Sequence, residues 1–418
     1  MRFSLPFLII LLCSCSQLIA QDACHSQEYL EQEIRRDPTL KVRLEKAAQV
    51  PTTFQRELIS GTQSNQSSNL PVIRIPVIVH VLYNKPEQNI TDAQVFSQID
   101  ALNKEFRKAH ADTALIPAAF HDLAADCFIE FTLAKVDPQG YATTGIVRKS
   151  TKKYSFGMDD AIKFSSNGGD DAWDNTQYLN IWVGSLISGV VGYSSPLGGP
   201  KEKDGVVINY TAFGTVGKLN APYEKGRTAV HEVGHWLGLK HIWGDQVCGS
   251  DGIDDTPQQG SATRGCPSGK ISSCTNAAVG IMFNNYMDLT NDACTNMFTY
   301  GQRDKMRAAF LPGGSRSALL NSTAVTAIPK PAPDPVVTEN LSLHIFPNPA
   351  VQSIKIDISR QENLKGTTLT LLNQMGQVVR TVQLNSMVTE IDMRSLADGL
   401  YFIRTVSGGR PIRIVKAS

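Results

Sequence analysis

The stretch HEVGHWLGLKH, residues 231 to 241, holds three of the chain's eight histidines, with Glu232 directly after the first. His231 and His235 lie four apart, so on a helix both project from one face and can bind one metal ion. Gly238 permits a sharp turn where the helix would otherwise continue, and that turn can swing His241 back as a third ligand. Three neutral imidazoles suit zinc and leave one position for water, whose pKa the ion lowers to roughly 7. Glu232 stands beside that water and outside the ligand set, where a carboxylate can take its proton during attack on a carbonyl. The bland alternative, a helix of incidental histidines, would require each of these spacings to match by accident.

The rest of the chain must position this stretch. "LPVIRIPVIVHVLY" (70 to 83) reads as a buried strand opening a domain. "TDAQVFSQIDALNKEFRKAH" spaces Val95, Ile99, Leu102 and Phe106 for an amphipathic helix with Thr91 as its N-cap. Strand-like runs follow at "CFIEFTLAKV", "YLNIWVG" and "GVVINYTAF", then an irregular cysteine-bearing part and a last helix near "GQRDKMRAAFL". Together these describe an α/β (α+β) domain over 69–320, of about 250 residues. Four prolines between Pro329 and Pro335 mark 321–340 as an extended spacer, and short alternating strands over 341–418 indicate a small all-β sandwich, immunoglobulin-like in class.

At the N-terminus, one arginine, an apolar run from Leu5 to Leu12 and small residues up to Ala20 read as a signal peptide, 1–20. "LCSC", ending at Cys15, also matches a lipobox, which leaves a lipid anchor as the second reading. No later run approaches the ~20 apolar residues of a transmembrane helix. Residues 21–68 are polar and helix-prone, then loop-like, as in a helical segment on a cleavable tether. Export permits disulfides. Cys248, Cys266, Cys274 and Cys294 cluster after the histidine stretch and allow three pairings, while Cys127 in its strand reads as a buried free thiol. With 40 basic against 39 acidic residues, no field is present to hold nucleic acid or an anionic membrane.

The histidine stretch is the metzincin zinc motif HExxHxxGxxH, and "NNYMDLTND" (284 to 292) resembles the Met-turn of that clan. With "CGSDGIDDTP" and "DACTNMF", the region from about 70 to 315 resembles the pappalysin family of metallopeptidases, small bacterial and archaeal type. "GVVGYSSPLGGPKEKDGVVINY" is similar to that family's substrate-flanking strand. The resemblance implies a zinc endopeptidase acting on proteins or peptides, with His231, His235 and His241 on zinc and Glu232 as general base and acid. It implies Met287 as an apolar floor, although plain core packing would serve that residue equally, and it implies the pairings Cys248 to Cys274 and Cys266 to Cys294. It further implies calcium near Asp251, Asp254, Asp255 and Thr256, whose hard oxygens suit that ion. Asp292, rather than Asp288, is implied at the bottom of a pocket selecting Arg or Lys at P1′. Family members commonly carry a tyrosine where this chain has Leu289, which removes one stabiliser of the oxyanion, while Tyr286 reads as core.

Cys24 in "CHSQEYLEQE" resembles the latency cysteine of similar bacterial zymogens, which implies a thiolate as fourth zinc ligand until 21–68 is cut away; a disulfide to Cys127 or an idle thiol are the competing readings. The tail, with "FPNP" at 346 to 349, "NQMGQVV", "LADGLYFIRT" and Lys416, resembles the C-terminal sorting domain of type IX secretion. It implies that machinery as a partner and release from, or attachment to, the cell surface. A sugar-binding sandwich has too few aromatic residues there, with only Phe346, Tyr401 and Phe402. A silent adhesin or scaffold on the same fold, or a narrow processing peptidase, are the rival functions; an intact glutamate and three ligands weigh against the first.

Overall fold

The computed structural model describes residues 24–48, 70–274, 278–331, 343–360, 364–405 and 408–418; the signal-peptide and Cys15 readings lie outside these residues. The chain divides into two compact units, Met1–Pro329 and Lys330–Ser418.

The first unit is organised by strand β1 (Ile73–Tyr83), whose alternation is apolar on both faces. Ile75, Val77, Val79 and Val81 join the main core, whereas Ile78 and Leu82 point to smaller clusters on the other side of the sheet. A strand buried on both faces belongs in the interior of a parallel sheet. β2 (Ile129–Leu133) and β3 (Ile146–Ser150) pair with its two halves in turn, and β4 (Leu179–Gly184) pairs on its other side, all parallel. β6 (Val206–Asn209) continues the parallel order, and the short β5 (Gly192–Ser194) closes that edge antiparallel, with Tyr193 opposite Val207. The sheet is mixed through that one reversed edge strand.

Helix α3 (Asp92–Phe106) forms where the spacing of apolar residues placed it, and Thr91 Oγ1 accepts the Gln94 N–H at 3.2 Å as N-cap. Ahead of it in the chain, α1 (Ser26–Arg36) and α2 (Leu40–Ala48) lie within the first unit. α4 (Arg227–Trp236) carries the first two histidines, and its Ala229, Val230, Val233 and Trp236 are buried in the main core. From there to α5 (Tyr300–Ala308) the described residues contain no helix or strand. Two disulfides, Cys248–Cys274 and Cys266–Cys294, cross-link that irregular part, and Cys24 and Cys127 are free and buried.

The first nine residues of the predicted spacer belong to the first unit. Ala324 is buried, and its carbonyl accepts the Lys135 and Val136 N–H groups, so the packed domain runs to Pro329. The second unit has two sheets. One is β10 (Val378–Gln383), β9 (Thr368–Leu372), β12 (Gly399–Thr405) and β13 (Gly408–Lys416); the other is β11 (Val388–Asp392), β8 (Ser353–Asp357) and β7 (His344–Phe346). Ile354, Ile356 and Ile391 from the smaller sheet share one core with Leu369, Leu371, Ile403 and Ile414 from the larger.

Candidate metal centre and active site

Gly238, at φ +94°, ends α4 in the left-handed conformation that only glycine adopts freely, and the chain turns back so that His241 faces the helix. The three imidazole centroids lie 4.6 to 5.3 Å from one another. Each ring is oriented through its Nδ1: His231 to the Tyr286 carbonyl at 2.6 Å, His235 to the Leu239 carbonyl at 2.9 Å, and His241 to Asp245. Such partners fix the tautomer and leave Nε2 as the donor atom. His241 is also stacked on Trp243, with centroids 4.2 Å apart. Burial, and then the neighbouring imidazoles, push His231 down to about 3 and His235 well below its ordinary value, so both are neutral, as a metal ligand must be. His241 Nε2 is buried with no hydrogen-bond partner, and the ligand atoms of Cys24, His231, His235 and His241 all lie within 4.8 Å of one another. An orphaned nitrogen inside a cluster of imidazole and thiol atoms fits a zinc ion.

Glu232 is fully buried beside this cluster, and burial raises its carboxyl to about 7, against the lowering effect of hydrogen bonds from Ser26 and Cys24. Ser26 Oγ donates to Glu232 Oε2 at 2.7 Å and accepts the Ser194 N–H at 2.8 Å, while Oε1 has no partner. The edge strand passes so close above Glu232 that a Cβ on Gly192 would lie 3.1 Å from its Cγ. Cys24 Sγ stands 3.5 Å from His235 Nε2, and the next residue's N–H bonds the Gly192 carbonyl at 3.2 Å. The N-terminal segment therefore covers the ligand cluster, the carboxylate and the free edge of β5 together. Burial and the nearby Glu232 push the uncoordinated Cys24 thiol well up.

Beneath the helix, Met287 is fully buried, and a Cβ on Gly234 would come 2.6 Å from its Sδ. Tyr286, whose carbonyl orients His231, sends its hydroxyl into a buried network with Glu105 and His110 rather than toward the cleft. Arg227, at the start of α4, joins the same network through Glu105 and Asp112. Leu289 and Asp292 line a small cavity with Tyr223, Thr228, His231 and Glu232. The Asp292 carboxylate accepts the Lys225 and Arg227 N–H groups, and burial raises it to about 6. Asp288 lines the same cavity, but its oxygens already accept from Gln259, Thr263 and Leu289.

Of the other four oxygen ligands expected from the sequence, Asp251 accepts from Thr256 Oγ1 at 2.9 Å, and Asp255 accepts from Thr299 and Gly301. Asp254 is exposed, and the three aspartates do not bring three ligand atoms within 4.8 Å of one another among the described residues. Sequence reasoning missed Ser26, Gly192, Asp245 and Arg227. Only Asp245, four residues after His241, carried a local signal; the others act on partners distant in sequence.

Against known proteins, the family model for pregnancy-associated plasma protein-A peptidases matches residues 164–311, and that for a secretion-system C-terminal sorting domain matches 344–416. An extracellular metalloprotease of Arthroderma gypseum is 31% identical over 268 residues, spanning 61% of this chain and 79% of the relative. Mature mirolysin of Tannerella forsythia, solved with a cleaved peptide, is 50% identical, with TM-score 0.59, covering 60% of this chain and 96% of that one. A promirolysin variant from the same organism is 46% identical, with TM-score 0.62, covering 72% and 97%. With the ligand cluster, the buried glutamate and the covering N-terminal segment, these similarities have one meaning: the chain belongs to the pappalysin family of metallopeptidases and carries a type IX secretion sorting tail.

Proposed function

We propose that this secreted metalloendopeptidase cleaves proteins with Glu232 as general base and acid and favours Arg or Lys at P1′. The observation that carries the reading is the convergence of three imidazoles, two of them held neutral by burial, beside a buried carboxylate with a free oxygen. His231, His235 and His241 would hold zinc, which supplies Lewis acidity toward water and the scissile carbonyl. Glu232, with a pKa near 7, both takes a proton from water and returns it to the leaving amine. Asp292 would meet a basic P1′ side chain, since it borders the Glu232 cavity with fewer internal donors than Asp288.

Latency would rest on Cys24, a soft thiolate ligand suited to zinc, whose positive charge would favour the deprotonated thiol against the effect of burial. Calcium would draw on the hard oxygens of the buried Asp251 and the half-buried Asp255, with neighbouring oxygens completing its shell. The tail folds as an immunoglobulin-like sandwich and directs the enzyme through the type IX machinery to the medium or the cell surface. Digestion of a peptide library by the activated enzyme tests the whole reading. Cleavage ahead of Arg and Lys, lost in Glu232→Ala and redistributed in Asp292→Lys, is the expected result; equal turnover in Glu232→Ala would overturn the mechanism.

A further inference from the structure

The segment that covers the active site also grips the back of the sheet. Along β5, a Cβ on Gly192 would face Glu232, so the next residue, Tyr193, projects to the opposite face of the sheet. There α1 inserts Tyr29, fully buried, against Tyr193, with ring centroids 4.9 Å apart. Phe156, Ile162, Trp182 and Leu186, all from the catalytic domain, complete the apolar walls. At the end of the slot the Tyr29 hydroxyl donates to Asp160, 2.9 Å from both carboxylate oxygens. Asp160 sits at φ +64°, a conformation uncommon for a residue with a side chain. Its oxygens also meet Lys163 at 3.0 Å and Lys203 at 3.0 Å. Lys163 is itself fully buried, with Nζ 4.8 Å from the Tyr29 ring centroid and 5.1 Å from that of Tyr193. One helical turn after Tyr29, Glu33 bonds Lys203 at 2.8 Å.

None of these groups takes part in the chemistry at the histidines. Without residues 24–36 the slot keeps its aromatic wall, one carboxylate and two ammonium groups, a charge excess of one cation. A buried, unpaired site of that composition is costly, and a phenol followed four residues later by a carboxylate satisfies all of it.

We infer that this slot is an exosite for a tyrosine carried on an acidic helix, which holds the prosegment independently of the metal and continues to bind it after cleavage. The inference rests on the reading of residues 24–36 as a segment removed on activation. The cleaved segment would then inhibit in trans, since α1 and α2 overlie the cleft that runs along Ser194 to Leu197 and His241.

The test uses the processed enzyme, prepared by limited proteolysis of the full chain, with and without removal of its metal by a chelator. The probe is a synthetic peptide of residues 24–48 with Cys24→Ala and Ser26→Ala, so that neither the metal nor Glu232 can hold it. Calorimetry should show binding in both metal states, about tenfold weaker with Tyr29→Phe, which removes one hydrogen bond to a charged acceptor. Tyr29→Ala should weaken it about a hundredfold or more, by loss of a buried aromatic anchor. In the enzyme, Lys203→Met should erase the difference between the peptide and its Glu33→Gln form while leaving hydrolysis of a short tyrosine-free substrate unchanged. No binding, binding only with metal present, or an affinity indifferent to Tyr29→Ala would overturn the exosite. Failure to hydrolyse the short substrate would strike the peptidase reading alone, since the binding arms do not require turnover.

Discussion

The two sides of the active site are built by different means. Above lie the sheet and α4, where apolar strands buried on both faces and a core-facing helix fix His231, Glu232 and His235. Below lies the stretch from His241 to Thr299, which has no helix or strand among its described residues yet buries Asp251, Asp288 and Asp292 and places Met287. Two disulfides and hydrogen bonds from backbone and side chains to carboxylates take the place of a sheet there. A regular scaffold suits the atoms that do chemistry, because a small misplacement costs rate. An irregular, cross-linked wall can vary its pocket without disturbing them.

The largest effect should fall on the upper side. Glu232→Gln should lower kcat by about 10²- to 10⁴-fold while zinc content, measured by atomic absorption, stays unchanged. If zinc were lost as well, Glu232 would be a structural member of the scaffold rather than its reactive group. Next comes the buried pair that fastens the end of the domain: Arg316 bonds Asp204 and lies 3.9 Å from the Trp236 ring centroid. Arg316→Ala strands Asp204 in the interior and should cost about 3–5 kcal/mol in urea unfolding. On the lower side, Cys266→Ser with Cys294→Ser should cost about 2–4 kcal/mol and loosen Asp292, read as blurred P1′ selectivity.

The smallest effect has opposite signs on the two sides. Arg316 and other partners outweigh burial to hold the Asp204 carboxyl below its usual range, so its contribution to stability is present above the unfolded carboxyl pKa and is lost as pH falls through the lower folded value. Asp292 is raised to about 6, chiefly by burial, so its site loses stability as pH rises from about 4 to 6. Asp292→Asn should therefore melt higher than the parent at pH 7.5, with the gap closing below pH 4. A constant gap across that range would mean that the carboxylate is charged throughout.

This contrast also sorts what was legible in the sequence. β1, α3 and the histidine stretch were readable because their periodicity or spacing is local, and Thr91 caps α3 where the pattern put it. The sharp turn at Gly238 was equally local. Ser26 was not readable, because its partners Glu232 and Ser194 lie far along the chain and any small polar residue leaves the same trace. The slot around Tyr29 was hidden for a similar reason: Asp160 and Lys163 look like ordinary surface charges until the fold buries them, and so does Lys203 until it closes over them. The end of the catalytic unit was misplaced because prolines mark an extended chain without saying whether it packs, and Ala324 does.

Gly234 lies between the two helical histidines and nearly touches the Met287 thioether. An alanine there would displace the flexible sulfur before the stiff backbone, lowering the floor and with it the seat of both imidazoles. The two positions thus amount to a single steric choice, and covariation between them among relatives would report how deep each enzyme's histidine pair sits.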